Sequence, residues 1–114
     1  MNEIDFKNKQ IQIIVNLINT RRFDDALNKA KPLIKKFPKE YLFYNAAGMS
    51  LINLDRYDEA IKILEKAKEL NENNIFVLNN LGLAYFYLKN YQLSEQYYER
   101  ILKLKPDFLN ALIN

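Results

Sequence analysis

The sequence contains no cysteine and no histidine, and each absence removes a class of chemistry. Without cysteine there is no disulfide framework, no thiolate metal site and no thiol nucleophile. Without histidine the commonest general base at neutral pH and the commonest metal ligand are both missing. Carboxylates, lysines and tyrosines remain, but they form no evident convergent site. The sequence therefore predicts a protein that is not an enzyme, has no catalytic residues and holds neither a metal nor a cofactor.

Turn-forming residues and long apolar runs are also scarce. Two glycines and three prolines among 114 residues are too few for the turns of a protein built from many short strands. No apolar run approaches the roughly 20 residues that a membrane span requires. The first residues, MNEID, carry acids where a secretory signal carries bases. We expect an all-α cytoplasmic protein that does not insert into a membrane.

Apolar residues, in contrast, are plentiful and widely distributed. They make up 49% of the chain, and 27% of the residues are charged, which is typical of a globular protein. A chain of this length buries roughly 65% of its unfolded surface. We therefore expect residues 1–114 to form a single domain.

The chain repeats itself at a fixed spacing. Aromatic, small and aliphatic residues recur in the columns Phe23, Tyr57 and Tyr91, then Ala26, Ala60 and Ser94, then Leu33, Ala67 and Ile101. This spacing of about 34 residues is the length of one helix-turn-helix unit of an α-solenoid, whose stacked units leave an elongated inner surface for a partner. The period predicts a protein that works by binding.

Apolar spacing divides each unit into two helices. The predicted helices span residues 4–19, 23–36, 41–54, 57–70, 75–88 and 91–104. Gly48 and Gly82 are expected where two helices approach closely, facing Ala60 and Ser94 respectively, because mid-helix glycine otherwise costs roughly 1 kcal/mol relative to alanine. Pro32 is expected to kink its helix or end it early.

The third copy of the repeat carries a specific signature, formed by Leu78, Leu81, Gly82, Tyr85, Ser94, Tyr98 and Pro106. With this pattern the chain resembles the tetratricopeptide repeat (TPR) family, which implies an α-solenoid of three helix-turn-helix units. The repeats would span residues 7–40, 41–74 and 75–108, and 109–114 would begin a further helix with Asp107 as its cap. The first copy has Ile14 in place of the glycine, so its two helices are expected to splay.

The TPR resemblance also implies a peptide-binding groove lined by the first helix of each repeat. The groove residues it indicates are Gln12, Asn19, Asn45, Met49, Asn53, Phe76, Asn79, Asn80, Leu83, Phe86 and Tyr87. None of them is charged. Amides both donate and accept hydrogen bonds, as a peptide backbone requires, while methionine and aromatic residues offer apolar area. We expect a protein or peptide partner.

Two known types of TPR groove can be compared with these positions. The carboxylate clamp of chaperone-binding TPR domains is absent, because its basic positions hold Ile11, Phe76 and Asn80. The asparagine ladder of O-linked sugar transferases is a closer resemblance, with Gln12, Ala46 and Asn80 at its positions. Asparagine is also abundant in this chain and suits exposed helix positions near turns, which is the simpler explanation.

Charge is concentrated near the N-terminus, although the net charge is only +3. The segment 1–40 holds nine lysines and arginines against five acids. We interpret this cluster as a solvated outer face, since the interleaved aromatics typical of nucleic-acid binding are not evident. The acid pairs Asp24–Asp25 and Asp58–Glu59 begin second helices, where they are expected to act as caps that complement the helix dipole.

Three functional alternatives follow from the sequence. The first is a protein- or peptide-binding scaffold. The second is the N-terminal, substrate-presenting region of a larger modifying enzyme, such as a glycosyl- or sulfotransferase. The third is a structural module that self-associates through its C-terminal end, where Tyr97, Ile101 and Leu104 are expected to remain partly uncovered.

Overall fold

The structure, a computed structural model, describes residues 2–108, and every regular element in this range is an α-helix. The helices are α1 Glu3–Asn19, α2 Phe23–Lys36, α3 Tyr41–Asn53, α4 Tyr57–Leu70, α5 Ile75–Tyr87 and α6 Tyr91–Leu104. The predicted helices are confirmed, and their ends agree within one residue. They form three stacked helical hairpins, measuring 42 × 28 × 26 Å in all. The further helix expected over 109–114 lies outside the described residues, whereas its expected cap, Asp107, lies within them, exposed in the turn after α6.

The turn inside each hairpin is fixed by one residue in the left-handed conformation. Arg21, Asp55 and Lys89 have φ of 62°, 61° and 65°, and they occupy the same position in successive repeats. In the first hairpin the next N–H, that of Arg22, donates to the Leu17 carbonyl over 2.8 Å. This bond satisfies a carbonyl that the helix end leaves without an intrahelical donor. The backbone alone therefore sets how each pair of helices turns.

Small residues in α3 and α5 make room for large ones in the following helix. A Cβ atom added to Gly48 would collide with the Leu64 side chain, and one added to Gly82 would lie 3.0 Å from the Tyr98 ring. The close approach expected at Gly48 is confirmed, and the side chain nearest to it is Leu64, one helical turn beyond Ala60 in α4. The expected approach of Gly82 to Ser94 is confirmed, since Ser94 Oγ donates to the Gly82 carbonyl over 2.7 Å.

In the first hairpin the small residue and the large residue change places between the two helices. Ile14 stands at the position of the glycines and Ala30 at that of Leu64, and both are almost completely buried in the same core. The large side chain therefore comes from the first helix and the small one from the second. The expected splaying is confirmed, because α1 lies less closely against α2 than α3 lies against α4.

Two expectations about α2 and α4 need correction. Pro32 lies inside α2, which continues to Lys36, so the proline does not end the helix early. Pro32 and Asn28 are both exposed, so water can satisfy the Asn28 carbonyl that the proline leaves without a donor.

The acid pairs do lie in first turns, but α2 and α4 have no side-chain cap hydrogen bond. Asp25 and Glu59 instead pair with Arg22 and Arg56, the residues at the N-cap positions, at 2.8 and 2.6 Å. An arginine at the cap position offers the carboxylate a charged donor that competes with the backbone N–H groups.

The C-terminal end is better covered than the sequence predicted. Ile101 is 1% exposed because Phe108 packs against it together with Leu78. The expectation that Ile101 remains uncovered is therefore wrong. Leu104 is 44% exposed, as expected, and Tyr97 is half-buried.

Candidate functional site

The inner face of the protein is formed by α1, α3 and α5, which pack side by side. Between α1 and α3 it contains a cavity of about 140 Å³. Its lining residues are almost all apolar: Ile11, Ile14, Val15, Ile18, Leu42, Phe43, Asn45, Ala46 and Met49. On α1 they recur at helical spacing, so one stripe of that helix faces the cavity. We call this feature the inner cavity.

Two predicted groove residues, Asn45 and Met49, line the inner cavity directly. The Nδ2 atom of Asn80 donates to Oδ1 of Asn45 over 2.9 Å, which links α5 to α3. Asn80 itself is only 3% exposed, so its amide lies below the surface. Its neighbour Asn79 is half-buried and makes no side-chain hydrogen bond within residues 2–108. The two asparagines are therefore in different environments despite being adjacent.

The aromatic groove residues are spread along α5. Phe76, near its start, is 61% exposed, whereas Phe86 and Tyr87, at its end, are 50% and 48% exposed. The Phe86 ring packs edge-on against Tyr91, with 5.4 Å between centroids, and Tyr87 stacks on Tyr57 at 5.2 Å. Phe86 and Tyr87 therefore belong to an aromatic cluster at the turn side of the hairpins, apart from the inner cavity.

The remaining predicted groove residues occupy scattered positions. Gln12, Asn19 and Asn53 are exposed, and Leu83 is half-buried. The Nδ2 atom of Asn53 donates to the Met49 carbonyl of its own helix over 2.9 Å. The predicted groove residues thus divide between an apolar cavity bounded by α1 and α3 and exposed aromatic side chains on α5.

Sequence reasoning did not identify Tyr57 and Tyr91 as members of the aromatic cluster. Both belong to the aromatic column that revealed the repeat period, and their recurrence was attributed to the repeat. Their position just after the left-handed turn residues was the signal that they lie beside the end of the preceding helix.

On the outer face, α4 and α6 are joined by a polar bridge. Tyr97 O–H donates to Glu65 Oε1 over 3.0 Å, and Lys68 Nζ donates to the Tyr97 hydroxyl over 3.1 Å. Lys68 and Glu65 also form an ion pair at 2.9 Å. Partial burial raises the pKa of Tyr97; the bond from Lys68 lowers that pKa, and the bond to Glu65 raises it. The bridge links these two helices, and a shallow pocket lined by Lys68, Tyr97 and Arg100 remains beside it.

Comparison with protein families identifies the repeat. Residues 41–74 and 75–108 each match a model described as tetratricopeptide repeat, and together they make up more than half of the chain. The chain belongs to the tetratricopeptide repeat family. Its TPR hairpins α3–α4 and α5–α6 lie within the matched ranges.

Three curated relatives share parts of their sequence with this TPR chain. Human sperm-associated antigen 1 is 28% identical over 94 residues, which is 82% of this chain and 10% of the relative. The N-terminal acetyltransferase A complex auxiliary subunit NAA15 of Arabidopsis thaliana is 26% identical over 101 residues, which is 89% of this chain and 11% of the relative. The TPR repeat-containing protein BH2049 of Halalkalibacterium halodurans is 36% identical over 56 residues, which is 49% of this chain and 25% of the relative. The chain thus spans between a tenth and a quarter of these relatives.

Solved structures show the same TPR fold. The first TPR domain of human RPAP3 has a TM-score of 0.81 at 18% identity, covering 86% of this chain and 77% of that one. The first TPR of Spaghetti (RPAP3), bound to the HSP90 peptide SRMEEVD, has a TM-score of 0.82 at 18% identity, covering 86% of this chain and 78% of that one. The Yersinia enterocolitica chaperone SycD has a TM-score of 0.84 at 16% identity, covering 98% of this chain and 89% of that one. These likenesses establish the α-solenoid.

Neither a metal site nor a membrane helix emerges from residues 2–108. In that range no three histidine, cysteine, aspartate or glutamate side chains come together to hold a metal ion. None of the helices there is both long and apolar enough to cross a bilayer.

Proposed function

We propose that the chain is a binding module whose inner face takes a peptide segment with a large apolar side chain. The observation that carries this proposal is the inner cavity of about 140 Å³ between α1 and α3. An apolar cavity of about 150 Å³ takes a molecule the size of benzene. One leucine or phenylalanine side chain of a partner therefore matches the space, and its burial supplies about 1.5–3 kcal/mol of binding free energy.

The amides beside the inner cavity suit the backbone of such a peptide. Asn45 is at its rim and half-buried, and Asn79 is half-buried on α5. An amide side chain both donates and accepts hydrogen bonds, so it can pair with a peptide N–H or C=O group. These two residues are proposed to orient the peptide, and Met49 adapts to its side chain.

The inner face is not suited to an acidic peptide terminus. The carboxylate-clamp positions hold Ile11, Phe76 and Asn80, none of which carries a positive charge. The structural neighbour Spaghetti was solved with the HSP90 peptide SRMEEVD, whose last residues include three acids. The proposed partner of this chain is instead an internal or uncharged segment.

Val15→Glu tests the proposal. Val15 lines the inner cavity and is 44% exposed, so the change should leave the fold intact while placing a charge where the apolar side chain docks. Peptides selected from a random displayed library against the chain should be rich in large apolar residues. Their affinity should fall about tenfold or more in the Val15→Glu variant.

Asn16→Glu is the matched control, because Asn16 is exposed on the same helix but does not line the inner cavity. Its affinity for the selected peptides should remain that of the unchanged chain. Peptides that bind both variants equally well would place the site elsewhere, and a library that yields no binder would contradict the proposal.

The remaining parts of the proposal are an absence of catalysis by this segment and a cytoplasmic location. Turnover of a substrate by the purified chain, abolished by one substitution, would contradict the first, and cell fractionation tests the second. A role within a larger modifying assembly is a second proposal. It is favoured by the Arabidopsis relative NAA15, which is named an auxiliary subunit of an acetyltransferase complex. Copurification of a catalytic subunit with the tagged chain tests it.

A further inference from the structure

The outer face carries an open trough between α2 and α4. It has a volume of about 480 Å³, and its lining includes Asn28, Lys31, Pro32, Lys35, Tyr44 and Ile63. Tyr44 is 8% exposed, and Ile63 is partly buried, so they form an apolar floor. Lys31 and Lys35 are exposed at its rim. We call this feature the outer trough.

The next repeat carries different side chains at this place. Tyr97 stands one repeat after Ile63, at the same position of the unit, and Glu65 stands one repeat after Lys31. Between α4 and α6 the tyrosine reaches across and donates to the glutamate over 3.0 Å. Between α2 and α4 an isoleucine is too short to cross and has no hydroxyl, and a lysine replaces the acceptor. The same place in the repeat therefore carries a side-chain bridge between α4 and α6 and lacks that bridge between α2 and α4.

The rim of the outer trough carries positive charge that has no local partner. Within residues 2–108 neither Lys31 nor Lys35 forms an ion pair, and the nearby Lys29 forms none either. Lys31 is close enough to Glu59 of α4 to contribute to the lowered pKa of that carboxyl group. The Glu59 carboxylate is nevertheless paired with Arg56 at 2.6 Å. An anionic partner would therefore meet unneutralised ammonium groups along the α2 side of an apolar floor.

The backbone adds a third element of recognition. Pro32 has no N–H, so the α-helical hydrogen bond to the Asn28 carbonyl is not made. Both residues line the outer trough and are exposed. A carbonyl oxygen without an intrahelical donor thus belongs to a residue that lines this space, where it can accept from the N–H of a bound peptide.

From these observations we infer that the outer trough is a second docking site, which takes a short acidic peptide segment with one or two apolar side chains. The apolar side chains rest on Tyr44 and Ile63, the carboxylates pair with Lys31 and Lys35, and a peptide N–H donates to the Asn28 carbonyl. This site is on the opposite face from the inner cavity and differs from it in charge. It is therefore independent of the function proposed above.

The experiment uses a fluorescein-labelled octapeptide, amidated at its C-terminus, in which leucine and phenylalanine stand between two runs of three glutamates. Titrated into the ¹⁵N-labelled chain, it should shift backbone amide signals of α2 and α4 around the outer trough. Affinity should weaken as NaCl is raised from 50 to 500 mM, because salt screens exposed charges. A peptide with glutamine in place of each glutamate should bind at least fivefold more weakly.

Lys35→Glu and Lys103→Glu form a matched pair of variants. Both lysines are exposed, both stand at the same phase of the repeat, and both changes alter the net charge equally, but only Lys35 lines the outer trough. Lys35→Glu should weaken the acidic octapeptide about fivefold or more, and Lys103→Glu less than twofold.

A third variant closes the outer trough by imitating the next repeat. The double change Lys31→Glu with Ile63→Tyr places a tyrosine opposite a glutamate, as Tyr97 stands opposite Glu65. Helicity should be retained and octapeptide binding should fall at least tenfold. If this variant does not fold, the Lys35→Glu and Lys103→Glu pair still decides the question.

Four results would overturn the inference: no amide shifts, shifts confined to other helices, equal losses in the Lys35→Glu and Lys103→Glu variants, or equal binding of the glutamine peptide. Single-stranded oligouridine and phosphatidylserine vesicles serve as competing anions. Tighter binding of either one than of the octapeptide would assign the basic rim to nucleic acid or to a membrane surface instead.

Discussion

At the scale of single residues, the adjacent asparagines of α5 show why a groove position is not the same as a binding residue. The family resemblance indicated both Asn79 and Asn80 from their place in the repeat. Asn80 is buried and donates to Asn45, whereas Asn79 is half-buried without a side-chain hydrogen bond in the described residues. Asn80 links α5 to α3, and Asn79 is the one that we propose contacts a ligand.

We predict that Asn80→Ala lowers the free energy of unfolding by about 1–2 kcal/mol, since it removes a hydrogen bond from a largely buried site and leaves Asn45 without its donor. Asn79→Ala should change it by less than about 0.5 kcal/mol. Urea unfolding followed by circular dichroism measures both. Equal effects of the two substitutions on stability would contradict this division of roles.

At the scale of helices, the sequence predicted most of the fold because two periodicities agree. Apolar residues repeat along each helix, and the longer period repeats each hairpin, so the helix ends could be placed within one residue. The expectation that Pro32 ends α2 early is wrong because the cost of an interior proline depends on the surroundings of the carbonyl that it leaves without a donor. One missing hydrogen bond is tolerated where the carbonyl is exposed to water. The sequence alone does not show which side of a helix is exposed to solvent.

The two glycines should respond differently to alanine. Leu64 is completely buried against Gly48, so Gly48→Ala forces a core side chain to move and should destabilise the protein by about 1–3 kcal/mol. Tyr98 is only partly buried beside Gly82, and a shift of its ring is offset by the roughly 1 kcal/mol that alanine gains in helix propensity. Thermal unfolding of both variants measures the contrast. A Gly82→Ala variant as unstable as Gly48→Ala would show that the ring cannot move.

We predict that the partly buried Tyr97 of the bridge between α4 and α6 makes the protein less stable in alkali. Burial raises the folded-state pKa of Tyr97 above the ordinary tyrosine value of about 10. A group with a raised pKa contributes stability that is present below its unfolded-state pKa and is lost as pH rises through the folded-state value. The free energy of unfolding should therefore fall as pH rises above 10. In Tyr97→Phe, which has no hydroxyl to ionise, the fall should be smaller. An unchanged pH dependence would exclude the bridge as its source.

At the scale of the whole molecule, both candidate sites arise from pairs of helices that belong to different repeats. The inner cavity lies between α1 and α3, and the outer trough lies between α2 and α4. Position in the repeat predicted that Asn45 and Met49 face inward. The volume of a cavity depends on how closely two hairpins stack, which no single repeat specifies. The basic cluster was likewise visible in the sequence, but its apolar floor appears only once Ile63 of α4 is placed beside Pro32 of α2.

The end of the molecule depends on Phe108, which packs on Ile101 and Leu78. Phe108→Ala should lower the free energy of unfolding by about 3 kcal/mol and, by exposing Ile101, should promote self-association. Leu104→Ala, at a residue that is 44% exposed, should do neither to a comparable degree. Urea unfolding and sedimentation over a wide concentration range measure the two effects. A Phe108→Ala variant as stable and as monomeric as the unchanged chain would contradict this prediction.

The exchange of sizes between Ile14 and Ala30 has a consequence for how such a chain can lengthen. The large and small partners of each pair always lie within one repeat unit, so a duplicated unit brings its own complement with it. A duplication that began one helix later, at α2, would instead place Gly48 opposite a second Ala30. That pairing would leave an empty space in the interior. Growth or loss of whole hairpins thus keeps each large side chain paired with its small partner, whereas a shift of the duplicated unit by one helix does not.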